Sequence, residues 1–146
     1  TIGTLDGANI EILERVGAEN MFIFGLTAEQ VAARRGLGID STDVIAASPV
    51  LAEVLSSVEA GVFSPDERDR YRGLVNSLRY HDYFGVCADF DDYFAKQRMT
   101  GDLWRRPDDW WQAAILNTAN VGWFSSDRSI RDYAELVWNV PTYTAP

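Results

Sequence analysis

Reactive side chains are scarce in this chain, and the scarcest types limit its chemistry first. Lys96 is the single lysine among thirteen Lys and Arg residues, so a Schiff base within the chain would have to form on it. The polar residues that follow it are typical of a solvated helix face, and we assign Lys96 no cofactor role. His81 and Cys87 are also single, which excludes an internal disulfide and zinc sites built from several cysteines or histidines. We expect Cys87 to be a buried apolar side chain and His81 to be structural or exposed.

Gly3, Asp6 and Gly7 form a second candidate, because a glycine-containing turn between a strand and a helix superficially resembles a phosphate cradle. The spacing fits neither G-x-G-x-x-G nor a Walker loop. Asp6 would also place a carboxylate where a phosphate would sit, and would use the donors at the helix end itself. We therefore interpret the element as a capped turn with close backbone packing, with a ligand loop as the alternative.

Grouped carboxylates at Asp89, Asp91 and Asp92 could hold a hard cation. An EF-hand loop needs alternating oxygen ligands, a central glycine and a distant glutamate, and the aromatic residues around these aspartates do not fit that pattern. Carboxylates in the first turn of a helix interact favourably with the helix dipole. We predict a helix capped by Asp89, running from about residue 90 toward residue 105, rather than a cation site.

The tryptophans could stack on sugar rings, whose apolar faces suit flat aromatic side chains. Trp110 and Trp111 are adjacent, and adjacent positions on a helix point apart, so at most one of them could face a ligand. We expect core packing for one of the two and partial exposure for the other. The same two interpretations, stacking or packing, apply to Trp104, Trp123 and Trp138.

The composition is that of one folded domain, or of part of one. Its 146 residues suit a single core, and 47% of them are hydrophobic. The formal net charge of -9 opposes binding to nucleic acid and to anionic lipid. The sequence contains neither an apolar run of membrane-spanning length nor an export leader, so we expect a soluble, cytoplasmic protein. The start at Thr1, without a methionine, predicts a piece of a longer chain.

The apolar pattern predicts two strands, at residues 1–5 and 21–24, separated by a largely buried helix at 7–16 that Gly17 ends. This βαβ order implies a parallel pair with a right-handed connection. A two-stranded parallel sheet is inadequate alone, so the remaining strands are expected upstream. The predicted fold class is therefore a helix-rich α/β fragment.

Almost all of the chain after Gly25 is predicted to be helical. Helix starts are indicated by Thr27 with a capping box, by Ser48-Pro49, by Ser64-Pro65 with Glu67 reaching back, and by Pro107. Apolar stripes at residues 71–78 and 130–138 predict one buried face on each of the corresponding helices. The last helix should contain an Asp127–Arg131 pair, and the tail at 141–146 should be extended.

Several stretches resemble the α-glucan phosphorylases, the enzymes of glycogen, starch and maltodextrin breakdown. Residues 3–11 resemble the pattern G-T-x-D-G-A-N-V-E, and the F-I-F-G of residues 22–25 follows at the family's spacing. Residues 61–65, 88–90 and 124–128 are similar to its G-F-F-S-P, A-D-F and F-S-S-D-R, so the resemblance spans essentially the whole chain. Two departures are Trp123, where a lysine is common, and the loosely matching residues 138–141.

The resemblance implies a GT-B glycosyltransferase with two Rossmann-like domains. Residues 1–146 would form the C-terminal portion of the second, cofactor-binding domain, and a final helix at about 127–138 would pack back toward the N-terminal domain. The full enzyme would use pyridoxal phosphate to cleave terminal α-1,4-linked glucose from a glucan with inorganic phosphate, giving glucose 1-phosphate. A homodimer is compatible with this resemblance.

The resemblance also implies that this chain contains no catalytic, cofactor-binding or metal-binding residue. The family's cofactor lysine belongs to an A-S-G-T-G-N-M-K motif upstream of the position of Thr1. The residues that bind phosphate and glucan in the family also lie upstream. The chain alone is therefore predicted to be inactive. The alternatives are a stand-alone helical interaction module and a different GT-B transferase that uses a nucleotide sugar. Glucan preference, allosteric control and oligomeric state are not predicted by this sequence.

Overall fold

The computed structural model describes residues 1–38 and 40–142, and in that part of the chain two short strands and eight α-helices form. The strands are β1 (Ile2–Thr4) and β2 (Phe22–Phe24). The helices are α1 (Gly7–Val16), α2 (Ala28–Leu37), α3 (Thr42–Ala47), α4 (Pro49–Glu59), α5 (Arg72–Tyr80), α6 (Val86–Trp104), α7 (Pro107–Asn120) and α8 (Ser126–Asp132). Short 3-10 turns lie at Ala18–Asn20 and Val121–Phe124, and a π-helical segment continues α8 over Tyr133–Trp138.

The predicted βαβ unit is confirmed. The two strands pair in parallel, with Ile2 opposite Phe22 and Thr4 opposite Phe24, and α1 forms the connection between them. Helix α6 packs against β2, while α7 packs against α1. The helix-rich α/β class is therefore correct. No helix within the described residues combines the length and apolar character needed to cross a bilayer.

The main buried cluster lies among α3, α4 and α6 rather than around the strands. It consists of Ile45, Leu51, Leu55 and Cys87, each at most 4% exposed. Cys87 is thus the buried side chain that the sequence predicts. Burial raises the pKa of its thiol to about 11, and the charge of the Asp82 carboxylate contributes in the same direction. The thiol is therefore protonated at neutral pH.

Three of the predicted helix starts are confirmed. The Thr27 hydroxyl accepts the Gln30 N–H at 3.3 Å, and the Gln30 side chain accepts the Thr27 N–H at 2.9 Å, which completes the capping box. The Ser48 hydroxyl accepts the Leu51 N–H at the start of α4, with Pro49 in the first turn. Pro107 opens α7 as expected.

The start predicted at Ser64-Pro65 is wrong. This segment forms successive turns, and α5 begins only at Arg72. Glu67 does not complete a capping box, because its carboxylate pairs with Arg70 at 3.1 Å instead of reaching back to the chain at Ser64. Its N–H also bonds only three residues back, to the Ser64 carbonyl, which is a turn rather than α-helical geometry. The capping pattern at Ser64 is therefore complete in the sequence but does not form, and Glu67 pairs with Arg70 instead.

The start predicted at Asp89 is also wrong, because α6 begins one turn earlier, at Val86. Gly85 precedes it in the left-handed region at φ 72°, and the side chain of Asp82 accepts the first helical N–H groups. Asp89 consequently lies inside the helix. Its carboxylate is free to bond another part of the chain.

Two helices are less covered than the sequence predicts. In α1 only Val16 is fully buried, and Ile10 is 42% exposed, because the helix packs on α7 and leaves its other side open. Along the predicted stripe of the last helix, Ala134 is buried but Trp138 is 60% exposed. The stripe at 71–78 is also only partly buried, because Val75 is buried but Leu74 is 55% exposed.

The C-terminal end differs from the prediction in detail. Helix α8 passes into the π-helical segment instead of continuing as one α-helix, and its ion pair joins Arg128 to Asp132 rather than Asp127 to Arg131. Of the tail predicted to be extended, residues 143–146 lie outside the described residues.

Candidate functional site

A cleft of about 540 Å³ lies where both strands end, beside α2 and α6. Because the strands are parallel, the carboxyl ends at Thr4 and Phe24 share one edge of the sheet. Ligands of open parallel α/β sheets bind outside this edge. The Phe24 and Tyr93 rings meet edge to face across the cleft wall, with their centroids 5.1 Å apart. The cleft is the candidate site that the fold itself indicates.

The turn after β1 borders this cleft and explains the predicted close backbone packing. A Cβ on Gly3 would lie 2.7 Å from the side-chain nitrogen of Asn9, so only glycine leaves room for that side chain. Asp6 occupies the N-cap position of α1, but its carboxylate accepts the Thr4 hydroxyl at 2.8 Å and no helical N–H. The predicted side-chain cap is therefore wrong, because the neighbouring hydroxyl takes the carboxylate.

The turn after β2 is bonded to α6 by two consecutive backbone N–H groups. Gly25 donates to Asp92 Oδ2 at 2.9 Å, and Leu26 donates to Asp89 Oδ1 at 2.8 Å. Gly25 has a φ of 83°, and a Cβ there would lie 2.6 Å from Cγ of Asp89. The F-I-F-G and A-D-F stretches of the sequence are therefore two halves of one contact.

The third aspartate of the cluster bonds a different element. Asp91 Oδ1 accepts the Ser48 hydroxyl at 2.6 Å, which links α6 to the start of α4. Each of Asp89, Asp91 and Asp92 thus has its own partner elsewhere in the chain. Residues 1–38 and 40–142 contain no cluster of three or more His, Cys, Asp or Glu side chains arranged to hold a metal ion. The arrangement fits structural hydrogen bonding rather than cation binding.

Asp89 carries an electrostatic conflict. Burial raises the pKa of its carboxyl above the ordinary value, and the N–H of Leu26 offsets part of that rise. Three neighbouring carboxylates, those of Asp82, Asp92 and Asp6, raise the pKa again. The ionised form is therefore less favourable in the folded chain than in the unfolded chain.

This conflict predicts the pH dependence of an Asp89→Asn variant. Because the pKa of Asp89 is raised on folding, its protonated form favours the folded state. This contribution to stability is complete below the unfolded pKa of about 4 and is lost as the pH rises through the folded pKa. Asparagine cannot ionise and keeps an oxygen for the Leu26 N–H. The variant should therefore gain stability over the original chain between pH 4 and pH 7, as measured by urea midpoints at both values. Glu53→Gln, at an exposed position on α4, is the control, and an equal gain in it would contradict the prediction.

Four of the five tryptophans are exposed, and only Trp110 is half-buried. Trp110 is half-buried and meets Trp104 edge to face at 4.9 Å, whereas Trp111 is 61% exposed, as the adjacency argument predicts. Trp138 lies against Tyr133, with the ring centroids 5.6 Å apart.

Two guanidinium groups lie over the ring of Trp123, where a stacked sugar would have to compete with them. Arg15 of α1 and Arg128 of α8 are each 3.9 Å from the ring centroid. Arg128 also donates through Nε to the Trp123 carbonyl. The residue at which the sequence departs from the family pattern thus joins the first helix to the last.

Replacing Trp123 by lysine, the residue that the resemblance described above leads us to expect there, should destabilise this chain. Each cation–π contact at a partly exposed site contributes about 0.5–1 kcal/mol, and lysine would place a third cation beside Arg15 and Arg128. We expect Trp123→Lys to be less stable than Trp123→Phe by about 1–2 kcal/mol in urea unfolding at low salt. The difference should narrow in high salt, since screening weakens charge repulsion. Equal stability of the two variants at low salt would exclude the stack as a source of stability.

Lys96 and His81 take no part in the cleft. Lys96 is half-buried on α6 and is not among the residues that line the cleft, and its carbonyl accepts the Thr100 hydroxyl. His81 is exposed at the end of α5, as expected. The residues that line the cleft do not fit a pyridoxal phosphate held as a Schiff base, because no lysine is among them.

Asp82 is the important residue that the sequence reasoning missed. Its carboxylate is 6% exposed and accepts the N–H groups of Val86 and Cys87, each at 2.8 Å, and the Ser41 hydroxyl at 3.0 Å. It joins the segment before α3 to the start of α6. The signal was present in the sequence, because an aspartate followed three residues later by a glycine precedes an apolar run.

The parallel βαβ unit places this chain in the α/β class. Its cleft lies at the carboxyl ends of the strands, the edge at which open α/β sheets bind ligands. The chain belongs to the carbohydrate phosphorylase family, whose model matches residues 1–140.

Relatives of known activity match along nearly the whole chain. It is 44% identical over 140 residues to the glycogen phosphorylase of Haemophilus influenzae. The matched region covers 96% of this chain and 17% of that protein. The glycogen phosphorylase of Chlamydia pneumoniae is 43% identical over 143 residues, covering 97% of this chain and 17% of its own length. The human brain form of glycogen phosphorylase is 43% identical over 140 residues, with coverage of 96% and 17%. The chain therefore spans about a sixth of the length of these relatives.

Proposed function

We propose that this chain is a C-terminal scaffold segment of an α-glucan phosphorylase. The full-length enzyme would cleave terminal α-1,4-linked glucose with inorganic phosphate and release glucose 1-phosphate. The observation that carries the proposal is the identity of 44% to a glycogen phosphorylase along 96% of this chain, within 17% of the relative's length.

The segment would contribute shape rather than a reacting group. Lys96 is the only lysine and does not line the cleft, so the pyridoxal phosphate proposed for the full-length enzyme would be held by a lysine outside this chain. The residues that do border the carboxyl edge form packed turns, with their polar groups bonded to one another or to α6. The segment alone should therefore be inactive.

The proposal extends to the place of the segment in the full-length enzyme. Residues 1–146 would complete the second of two Rossmann-like domains of a GT-B fold, and the helix at about 127–138 would pack toward the first. Exposed apolar side chains on that helix support the second point: Ile130 is 63%, Val137 is 64% and Leu136 is 82% exposed. A soluble, cytoplasmic enzyme, and a homodimer, are compatible with the proposal.

The test begins with the full-length coding region that contains this chain. The protein is supplied with maltodextrin and phosphate, without a nucleotide sugar, and glucose 1-phosphate is measured. We expect product from the full-length protein and none from the 146-residue chain. A Lys96→Arg variant of the full-length protein should retain the activity, since Lys96 is not the cofactor lysine.

Two results would contradict the proposal. A full-length protein that transfers glucose only from a nucleotide sugar would favour a different GT-B transferase. A stoichiometric near-ultraviolet aldimine on Lys96 of the isolated chain would show that the segment carries the cofactor site itself.

A further inference from the structure

The Gly25–Leu26 turn lies at the edge of the sheet where a phosphorylase reaction would take place. Parallel strands present their carboxyl ends to a ligand, and β1 and β2 end there together. Leu26 and Phe24 line the cleft, so a displacement of this turn changes the cleft wall.

Hydrogen bonds to α6 hold this turn, which lies between the paired residue Phe24 and the capping box at Thr27. The two consecutive N–H groups of Gly25 and Leu26 donate to carboxylates on α6, which is 67 and 63 residues further along the chain. A residue larger than glycine would not fit at position 25, because its Cβ would lie too close to the Asp89 side chain. The position of the turn is therefore set by α6.

A carboxylate at position 89 is less favourable for the stability of the folded chain than an amide of the same size would be. Burial and three neighbouring carboxylates oppose its ionisation, and an amide would accept the same N–H without that conflict. Local conflicts of this kind are concentrated at functional sites.

We infer that Asp89 and Asp92 are positioning residues for phosphorolysis, because they hold the turn after β2 against α6 and so set the wall of the cleft at the carboxyl edge. This inference rests on the proposed function. Neither residue is assigned contact with a reacting atom. Both act on the turn through the backbone of Gly25 and Leu26, and Asp89 also lines the cleft itself.

The experiment uses the full-length protein and compares chemically matched aspartates on the same helix. Asp89→Ala/Asp92→Ala removes both acceptors at the cleft. Asp89→Asn/Asp92→Asn keeps an oxygen for each N–H. Asp91→Ala is the control, because Asp91 bonds Ser48 at the start of α4 and not the turn.

We expect the double alanine variant to lose about ten- to a hundredfold in kcat per folded protein, since small displacements at a reaction site have effects of that size. KM for maltodextrin should change by less than about threefold, because a positioning defect acts on the reacting geometry rather than on uniform binding. The double asparagine variant should recover most of the lost kcat. In hydrogen exchange, the amides of Gly25 and Leu26 should exchange faster in the alanine variant and not in Asp91→Ala.

The outcomes separate the inference from the proposed function. A full-length wild-type protein without phosphorolysis would refute the proposed function and the inference with it. An active wild type whose double alanine variant keeps its kcat, or loses no more than Asp91→Ala, would refute the inference alone. Failure of the asparagine variant to recover activity would also refute it, because the acceptor oxygens would then not be what matters.

Discussion

Asp82→Ala is expected to lower the free energy of unfolding by about 3 kcal/mol or more. The substitution leaves two helical N–H groups and the buried Ser41 hydroxyl without their acceptor. Each buried donor left unsatisfied costs about 1–3 kcal/mol, and loss of a helix cap costs about 1 kcal/mol. The damage should be concentrated where α3 meets the start of α6.

Two measurements locate this loss. Urea unfolding of the chain gives its size, and the rate at which iodoacetamide labels Cys87 reports on the first turn of α6. Burial and the Asp82 charge raise the pKa of that thiol to about 11, so labelling at pH 8 should be slow in the original chain. It should be much faster in Asp82→Ala, in which both effects are weakened.

Asp82→Asn is the graded control for this prediction. It preserves the size of the side chain but has one acceptor oxygen in place of two, so we expect it to lie between the original chain and the alanine variant. An alanine variant within about 0.5 kcal/mol of the original would be inconsistent with the hydrogen bonds described, since substitutions away from special features have effects of that size.

Gly61→Ala is expected to cost about 2–4 kcal/mol. Gly61 follows α4 at φ 73° and ends it in a Schellman motif: its N–H bonds the Val58 carbonyl, and the N–H of Val62 bonds the Ser57 carbonyl. An L-residue in the left-handed region costs about 1–2 kcal/mol. The added Cβ would also lie 2.8 Å from Cα of Arg68, and overpacking against backbone typically adds about 1–3 kcal/mol.

The matched control is Gly101→Ala on α6. No atom lies within 4 Å of a Cβ built there, and the residue is in the interior of a helix. Alanine should therefore stabilise the chain by about 0.5–1 kcal/mol. Opposite signs for the same substitution, compared by urea unfolding, would establish the left-handed backbone and the close approach of Arg68 at Gly61 as the joint cause. Two losses of equal size would contradict it.

Sequence reasoning succeeded where a signal is local and uncontested. The capping box at Thr27 joins side chains only three residues apart, and the parallel strand pair follows from one short crossover. It failed at Asp89 and at Glu67 for different reasons. Helix α6 begins one turn before Asp89, where Asp82 accepts its first N–H groups, and Glu67 pairs with Arg70 instead of capping a helix.

The candidate site was predictable only as a set of motifs. Residues 3–11 and 22–25 were identified as an informative pair, but which groups bond across the fold could not be derived from their spacing. The link between Gly25 and Asp92 spans 67 residues, and Asp82 reaches back 41 residues to Ser41. Long-range hydrogen bonds of this kind depend on the packing of α6, which no local pattern encodes.

The βαβ unit is completed by residues made long after it. The side chain of Asn117 donates to the Asn20 carbonyl across 97 residues, and Arg128 brings Trp123 onto Arg15 of the first crossover helix. A ribosome adds roughly 5–20 residues per second, so translation would leave β1, α1 and β2 without this cover for about 5–20 s. During that interval the unit lacks these contacts with the C-terminal part of the chain. Chaperone dependence during synthesis should therefore be determined by the arrival of α7 and α8 rather than by the strands themselves.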